Sequence, residues 1–224
     1  MTRIRPARAR TGTDARLVSP GDLSAGRKSR SLLGSTRGAT ILELVFAIAA
    51  ATTAGAIAVA SVSGAIDEMR TAVAARYMAA RIATLRIDAL RRGSPVALRF
   101  EAAGDDYMFA PYEDGNGNGV RTADIRAGID RPVGPLERLG GKFSGVRFEL
   151  SSGIPDADGS VGTGTDGVRI GSARILTMGE DGTATSGTLY IRGRRGQYAV
   201  RVLGVTGRTR MLQYLAGDRR WLSR

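Results

Sequence analysis

Residues 39–66 read ATILELVFAIAAATTAGAIAVASVSGAI, a run of 28 residues that carries a single charge, on Glu43. As an α-helix this run is about 42 Å long at 1.5 Å per residue, whereas the hydrocarbon core of a bilayer is roughly 30 Å thick. The run therefore predicts a membrane-spanning helix. A carboxylate inside such a helix costs roughly 2.5–3.5 kcal/mol on insertion scales, so we expect Glu43 to have a specific partner.

The two flanks of this run differ in charge. Residues 1–38 contain nine Lys/Arg and two acids, a net charge of +7. They are rich in Arg, Ser and Gly and predict a disordered cytoplasmic leader. Asp67 and Glu68 follow the run on its other side. The positive-inside rule therefore places the N-terminus in the cytoplasm and exports the chain after about residue 66.

Three interpretations of residues 39–66 stay open. The first is an ordinary signal anchor, and the second is a secretory signal peptide cut before Ser61, after the A-x-A site Ala58-Val59-Ala60. Glu43 argues against both, because neither a signal-peptide core nor an isolated anchor gains from a carboxylate. The third is a basic leader that ends at Gly38, followed by Ala39, a short apolar run and Glu43 at the fifth position after the glycine.

In this third interpretation the chain resembles a type IV prepilin or pseudopilin. The resemblance implies that a prepilin peptidase removes residues 1–38 by cutting after Gly38, and that it N-methylates Ala39. It also implies a single-pass protein of the bacterial inner membrane with a periplasmic C-terminal domain, and other pilins or pseudopilins as partners. In the filament, Glu43 of an incoming subunit would pair with the Ala39 amine of its neighbour, which neutralises two buried charges.

A helical pattern continues over residues 67–93 and stops at Gly93-Ser94-Pro95. Its apolar residues form two lines on a helical wheel. The first line is Ile66, Met69, Val73, Tyr77, Ala80 and Ile87, and the second is Met78, Ile82 and Leu85. Either one line packs on the globular domain and the other on neighbouring subunits, or both lines are core.

From Pro95 onward the pattern changes to short strands between Gly-rich turns. The predicted strands are 96–100, 107–110, 145–150, 168–178, 188–192, 197–203 and 209–215, with turns at Ala103–Asp106, Gly179–Gly182 and Gly193–Gly196. The predicted fold class is α+β: a long N-terminal transmembrane and amphipathic helix packed on an antiparallel β domain, as in pilins. That periplasmic domain spans residues 94–217, and residues 218–224 are a basic tail.

The C-terminal strands narrow the resemblance. Asp181-Gly-Thr-Ala-Thr-Ser-Gly187 is a D-G-x-A-x-S-G turn, and Val202–Arg210 has the sequence pattern V-x-x-x-T-G-R-x-R. With the N-terminal motif these features resemble the GspH/FimT group of minor pseudopilins. The resemblance implies a structural subunit of a type II secretion pseudopilus or a type IV pilus. FimT-like members imply an alternative, a DNA-binding minor pilin for natural transformation.

The stretch Asp114-Gly-Asn116-Gly-Asn118-Gly119 resembles the first half of a calcium loop. Position 12 of the loop is Ile125 instead of a carboxylate, and Asp124 stands one place early. Glu113, Asp124 or Asp130 would then complete an oxygen shell for Ca²⁺. The alternative is a hairpin tip in which Asn and Gly only supply the backbone geometry of a turn.

Nine Arg and one acid give residues 190–224 a net charge of +8. Arg208 and Arg210, with Arg194 and Arg195, predict a basic face for DNA phosphates, and the alternative is a set of solvated or subunit-facing arginines. The chain contains no Cys and no His. This excludes Cys/His zinc sites, Cys nucleophiles and Ser-His-Asp triads, so we do not expect an enzyme.

Overall fold

The structure is a computed structural model that describes residues 40–160 and 164–224, without the side chains of residues 57–61. The description therefore does not include the predicted leader 1–38, with Gly38 at its end, or Ala39. It also does not include the side chains of the A-x-A site 58–60. The chain divides into two units, Met1–Phe46 and Ala47–Arg224. One long helix and two antiparallel sheets dominate the second unit.

Helix α1 spans Ile41–Arg92, and Gly93, with φ +60°, ends it where the sequence predicts. The strands of the first sheet are β1 (Val96–Ala103), β2 (Asp106–Glu113), β3 (Arg131–Pro132), β4 (Glu137–Arg138) and β7 (Ile175–Met178). The strands of the second are β5 (Arg147–Phe148), β6 (Val168–Arg169), β8 (Gly187–Arg192), β9 (Gln197–Leu203), β10 (Arg208–Leu215) and β11 (Arg220–Ser223). Two short helices, α2 (Thr122–Arg126) and α3 (Leu139–Lys142), lie in the connections.

All strand pairs are antiparallel. The first sheet has the order β3-β2-β1-β7 with β4 also on β2, and the second has the order β11-β10-β9-β8-β5 with β6 also on β8. The predicted α+β class, with a helix packed on antiparallel sheets, is confirmed. The core joins one face of α1 to both sheets through Met78, Ile82, Leu98, Phe148 and Val200.

This core decides between the two interpretations of the helix. The line Met78, Ile82 and Leu85 is buried. Met69 and Val73 of the other line are 69% and 42% exposed, and Ile66 and Ile87 are exposed as well. The interpretation in which both lines are core is therefore wrong.

The strand boundaries hold in some places and fail in others. The hairpin of β1 and β2 turns at Ala103 and Asp106, as predicted. The predicted strand 168–178 is wrong, because Gly171 and Arg174 have positive φ values and break it into β6 and β7 of different sheets. The predicted strand 145–150 is reduced to β5. The predicted tail 218–224 contains β11, which pairs with β10, so the β domain extends past residue 217.

Among the residues that the structure describes, no helix is long and apolar enough to cross a membrane. The predicted span 39–66 includes residues 57–61, whose side chains lie outside the description.

Candidate functional site

The N-terminal turn of α1 holds Glu43, the predicted assembly residue. Thr40 caps the helix: its Oγ1 accepts the backbone N–H of Glu43 at 3.2 Å, and its carbonyl accepts that of Leu44 at 3.1 Å. A carboxylate in the first turn is also favoured by the helix dipole. The Glu43 side chain is exposed. Glu43 therefore has a local role at the start of the helix, and its role in assembly stays a prediction.

An apolar stripe runs along the exposed side of α1. Its members are Val62, Ile66, Met69, Val73, Ala80, Ala83, Ile87 and Leu90, all exposed. They follow one another at alternating steps of four and three residues, interrupted once by Arg76. This is the heptad spacing of helices that pack against other helices. The sequence alone shows the spacing but not which of the two apolar lines stays exposed.

The β8–β9 turn holds the β domain against the middle of this helix. The Asp67 side chain is 6% exposed and its Oδ2 accepts the backbone N–H of Arg195 at 2.8 Å. Gly193 and Gly196 allow the turn to approach closely, because a Cβ at either position would meet the buried Thr71 side chain. The two glycines of this turn are therefore required by contact with the helix.

Two other turns contact α1 near its C-terminal end, around Arg86. Gly182, in the β7–β8 connection, has φ +81°, and a Cβ there would lie 3.2 Å from the Arg86 guanidinium. Gly207, in the β9–β10 turn, has φ +59°, and a Cβ there would lie 3.1 Å from Arg86 Cδ. Packing against α1 thus explains the glycine of the T-G-R-x-R sequence, independently of any ligand.

The structure separates the predicted DNA-binding arginines into two pairs. Arg208 and Arg210 begin β10, whereas Arg194 and Arg195 lie in the β8–β9 turn. Strand β9 connects the two ends and spans roughly 20 Å at about 3.3 Å per residue. The structure therefore places the predicted arginines in two groups at opposite ends of β9, and a single basic face that includes all four stays a prediction.

Arg208 and Arg210 share a face with Arg201 of the neighbouring strand. Arg201 is the direct cross-strand partner of Arg210, and both Arg208 and Arg210 are exposed. Like charges placed directly opposite each other destabilise a sheet. Among the ion pairs of the described residues, none includes these three arginines. In contrast, Arg192 on the same sheet is paired with Glu149.

The predicted calcium loop forms a tight turn held by its own carboxylates. Asp114 accepts the backbone N–H groups of Asn116, Gly117 and Gly119 at 3.0, 2.9 and 2.6 Å. Burial raises the pKa of Asp114, but these hydrogen bonds outweigh it, and the pKa is lowered. Asn116 Oδ1 accepts the N–H of Asn118 at 3.2 Å.

Two further acids near this loop, Asp130 and Asp124, differ in their hydrogen bonds. Asp130 Oδ1 and Oδ2 accept the backbone N–H groups of Gly115 and Arg121. Asp124 lies in α2, and its Oδ2 is buried without a hydrogen-bond partner. Over residues 40–160 and 164–224, no group of three or more acidic side chains is arranged to hold a metal ion. The carboxylates of Asp114 and Asp130 thus hold the backbone of this turn, and calcium binding stays a prediction.

A polar cluster that the sequence does not predict joins α1 to β4 and α3. Tyr77 and Lys142 both hydrogen-bond to the Glu137 carboxylate, and Arg81 Nη2 lies 2.9 Å from it. Burial raises the pKa of Glu137, but its partners outweigh burial and lower it. Burial and the hydrogen bond to Glu137 raise the pKa of Tyr77. No local pattern in the sequence brings residues 77 and 137 together.

The arrangement defines a class by fold alone: an α+β chain whose long helix buries one face against antiparallel sheets and exposes an apolar stripe on the other. No family model matches the chain, and no curated protein and no solved structure is significantly similar to it.

Proposed function

We propose that this chain is a minor pseudopilin or minor pilin, a structural subunit of a type II secretion pseudopilus or a type IV pilus. Its leader is removed by prepilin peptidase after Gly38, and its helix is inserted in the bacterial inner membrane until assembly. The observation that carries the proposal is the apolar stripe of α1. A helix that exposes apolar residues at heptad spacing, while its opposite face is buried, is suited to packing between other helices.

The size of the stripe indicates what assembly requires. Fully burying one large aliphatic side chain contributes about 1.5–3 kcal/mol, and these side chains are already roughly half covered in the isolated chain. The six large residues of the stripe therefore supply about 6 kcal/mol on packing. Association costs about 4–15 kcal/mol, so one helix pair held by the stripe alone is marginal. Stable assembly needs several neighbours or the apolar residues at the start of α1 as well.

The experiment that tests the proposal substitutes Val73→Glu in the stripe. We expect the variant to fold and insert but to be missing from sedimented filaments of the native host, because a carboxylate would be buried between helices. The matched control is Val205→Glu, since Val205 is 88% exposed in the β9–β10 turn and lies away from the stripe. Incorporation of both variants at the wild-type level would refute the role of the stripe.

A second measurement tests processing. N-terminal mass spectrometry of the chain extracted from host membranes should find a species that begins at Ala39 and is heavier by one methyl group. A species that begins at Ser61, or an uncut chain, would favour the secretory or simply anchored interpretation instead.

The cross-strand pair of Arg201 and Arg210, with Arg208 beside it, favours DNA uptake as a second candidate function. Phosphates would neutralise a like-charge pair that takes part in none of the ion pairs of the described residues. Arg208→Gln with Arg210→Gln should lower the slope of log affinity against log salt by about 1.8, at about 0.9 for each lost phosphate contact. Arg194→Gln with Arg195→Gln is the charge-matched control. An unchanged slope for the first pair would exclude the DNA-binding role.

A further inference from the structure

A small cavity lies where the β8–β9 turn meets α1. Its volume is about 360 Å³, and it is lined by Ser63, Gly64, Ile66, Asp67 and Arg70 of the helix and by Arg194 and Arg195 of the turn. Since all of these residues belong to the unit Ala47–Arg224, the cavity is part of one compact body.

Three of the residues that line the cavity are exposed arginines. Arg70 Nη1 donates to the carbonyl of Ser144 at 3.1 Å, and Arg194 lies beside Gly145 of the same loop. Arg195 extends over Gly64, so close that a Cβ on this glycine would displace its guanidinium.

The acids nearby are already engaged. Asp67 is buried and accepts the Arg195 N–H, and Glu68 Oε1 accepts the Gln213 side-chain amide at 2.8 Å. In the portion of the chain that the structure covers, no ion pair includes any of the three arginines. The cavity therefore presents guanidinium groups to an anion from outside the chain.

The position of the cavity along the helix indicates which anion. Its helical residues, 63–70, begin at the end of the predicted span 39–66 and continue for one turn beyond it, about 6 Å for four residues. The headgroup layer on each side of a bilayer is about 5–8 Å thick. This step rests on the proposed function, because it takes residues 39–66 as the membrane span.

We propose that this cavity binds the phosphate of an anionic phospholipid on the periplasmic side of the inner membrane. The guanidinium group donates two parallel hydrogen bonds to phosphate oxygens, a geometry that lysine does not match. The bound lipid holds the β8–β9 turn, and with it the β domain, at the membrane surface before the subunit enters a filament. When the helix leaves the bilayer, the same arginines become free for other anions.

The test uses the full-length chain purified in detergent and native mass spectrometry during titration with phosphatidylglycerol or with phosphatidylcholine of the same acyl chains. We expect preferential binding of phosphatidylglycerol. Arg194→Gln with Arg195→Gln should weaken this binding about 30-fold, from about fivefold per arginine near an anionic surface. The fold should survive, because the group that donates to Asp67 is a backbone N–H.

The control is Arg208→Gln with Arg210→Gln, which removes the same charge at the other end of the strands and should leave binding unchanged. Equal binding of the two lipids, or equal weakening by both pairs of substitutions, would overturn the assignment. Displacement of the lipid by an equal concentration of inorganic phosphate would also overturn it, as it would identify a free-phosphate site.

Carbonate extraction of the chain from phosphatidylglycerol vesicles separates this inference from the proposed function. Release of the wild-type chain by carbonate would refute the membrane-inserted subunit, whatever its lipid affinity. A chain that resists carbonate but shows no preference for phosphatidylglycerol would refute the lipid site alone.

Discussion

Gly193→Ala is the sharpest test of how the β domain is attached to its helix. A Cβ at Gly193 would lie closer to the Thr71 hydroxyl oxygen than non-bonded atoms can approach, and 3.1 Å from Asp67 Oδ2. Both partners are buried on α1. The φ of Gly193 is outside the left-handed region, so the backbone accepts alanine and the cost is steric. Overpacking of this kind costs about 1–3 kcal/mol, and contact with two buried groups places Gly193→Ala at about 2–3 kcal/mol.

Thermal unfolding of the full-length chain in detergent measures this cost. For a domain of this size, about 2–3 kcal/mol lowers the Tm by about 4–12 °C. Gly217→Ala is the control, since a Cβ at Gly217, in the neighbouring β10–β11 turn, would meet nothing within 4 Å. Thr71→Ala removes the hydroxyl and should partly rescue Gly193→Ala in the double variant. A Tm for Gly193→Ala equal to that of Gly217→Ala, or strictly additive losses in the double variant, would refute the contact.

Three further predictions concern single acidic side chains. Because partners lower the pKa of Glu137 despite its burial, its stabilising contribution is complete above about pH 4.5 and is lost as the pH falls through the folded-state pKa; Glu137→Gln should flatten the dependence of Tm on pH in this range, and an unchanged curve would exclude the role of Glu137. Asp114→Ala removes the acceptor of three backbone N–H groups and should cost about 1.5–3 kcal/mol in denaturant unfolding, whereas Asp114→Asn, which keeps one oxygen, should cost less; equal stability of both variants and the wild type would contradict the loop geometry. The Glu43→Ala variant should still resist carbonate extraction and should still begin at Ala39 in N-terminal mass spectrometry, but it should not enter filaments. Normal incorporation would count against the pairing of Glu43 with a neighbour's Ala39 amine.

The parts of the fold that follow from sequence are those in which neighbouring strands are consecutive in the chain. The predicted strands 188–192, 197–203 and 209–215 match β8, β9 and β10 closely. Their alternating apolar residues and the glycines of their turns are local signals. The end of helix α1 before Gly93 is also predicted by a local signal, the glycine itself.

The division into two sheets depends on contacts between residues far apart in sequence. Apolar residues at 168, 170, 175, 176 and 178 indicate one strand, whereas β7 pairs with β1 in one sheet and β6 with β8 in the other. Strand β11 has two charged or polar residues among its four and follows Asp218-Arg219, so its sequence suggests a basic tail, although its backbone pairs with β10. A period of two in the sequence reports the two faces of a strand and says nothing about its partner.

The candidate sites follow from sequence to a similar, limited degree. Residue type identified the arginines but not their distribution over two ends of one sheet. The calcium pattern at Asp114 correctly indicated a tight turn, because the same oxygen atoms that bind a cation also accept backbone N–H groups. The exposed stripe of α1 required knowledge of which face the sheets cover.

The turns that contact α1 at Thr71 and at Arg86 also have a mechanical consequence. These contacts are 15 residues apart on the helix, about 22 Å at 1.5 Å per residue, and belong to opposite ends of the same β strands. A force that pulls along the helix is therefore shared between these two contacts, which are loaded in shear. A force that bends the helix away from the domain is resisted by two contacts separated by that distance. The domain should part from the helix in a single cooperative rupture, not by progressive peeling, when a subunit is pulled.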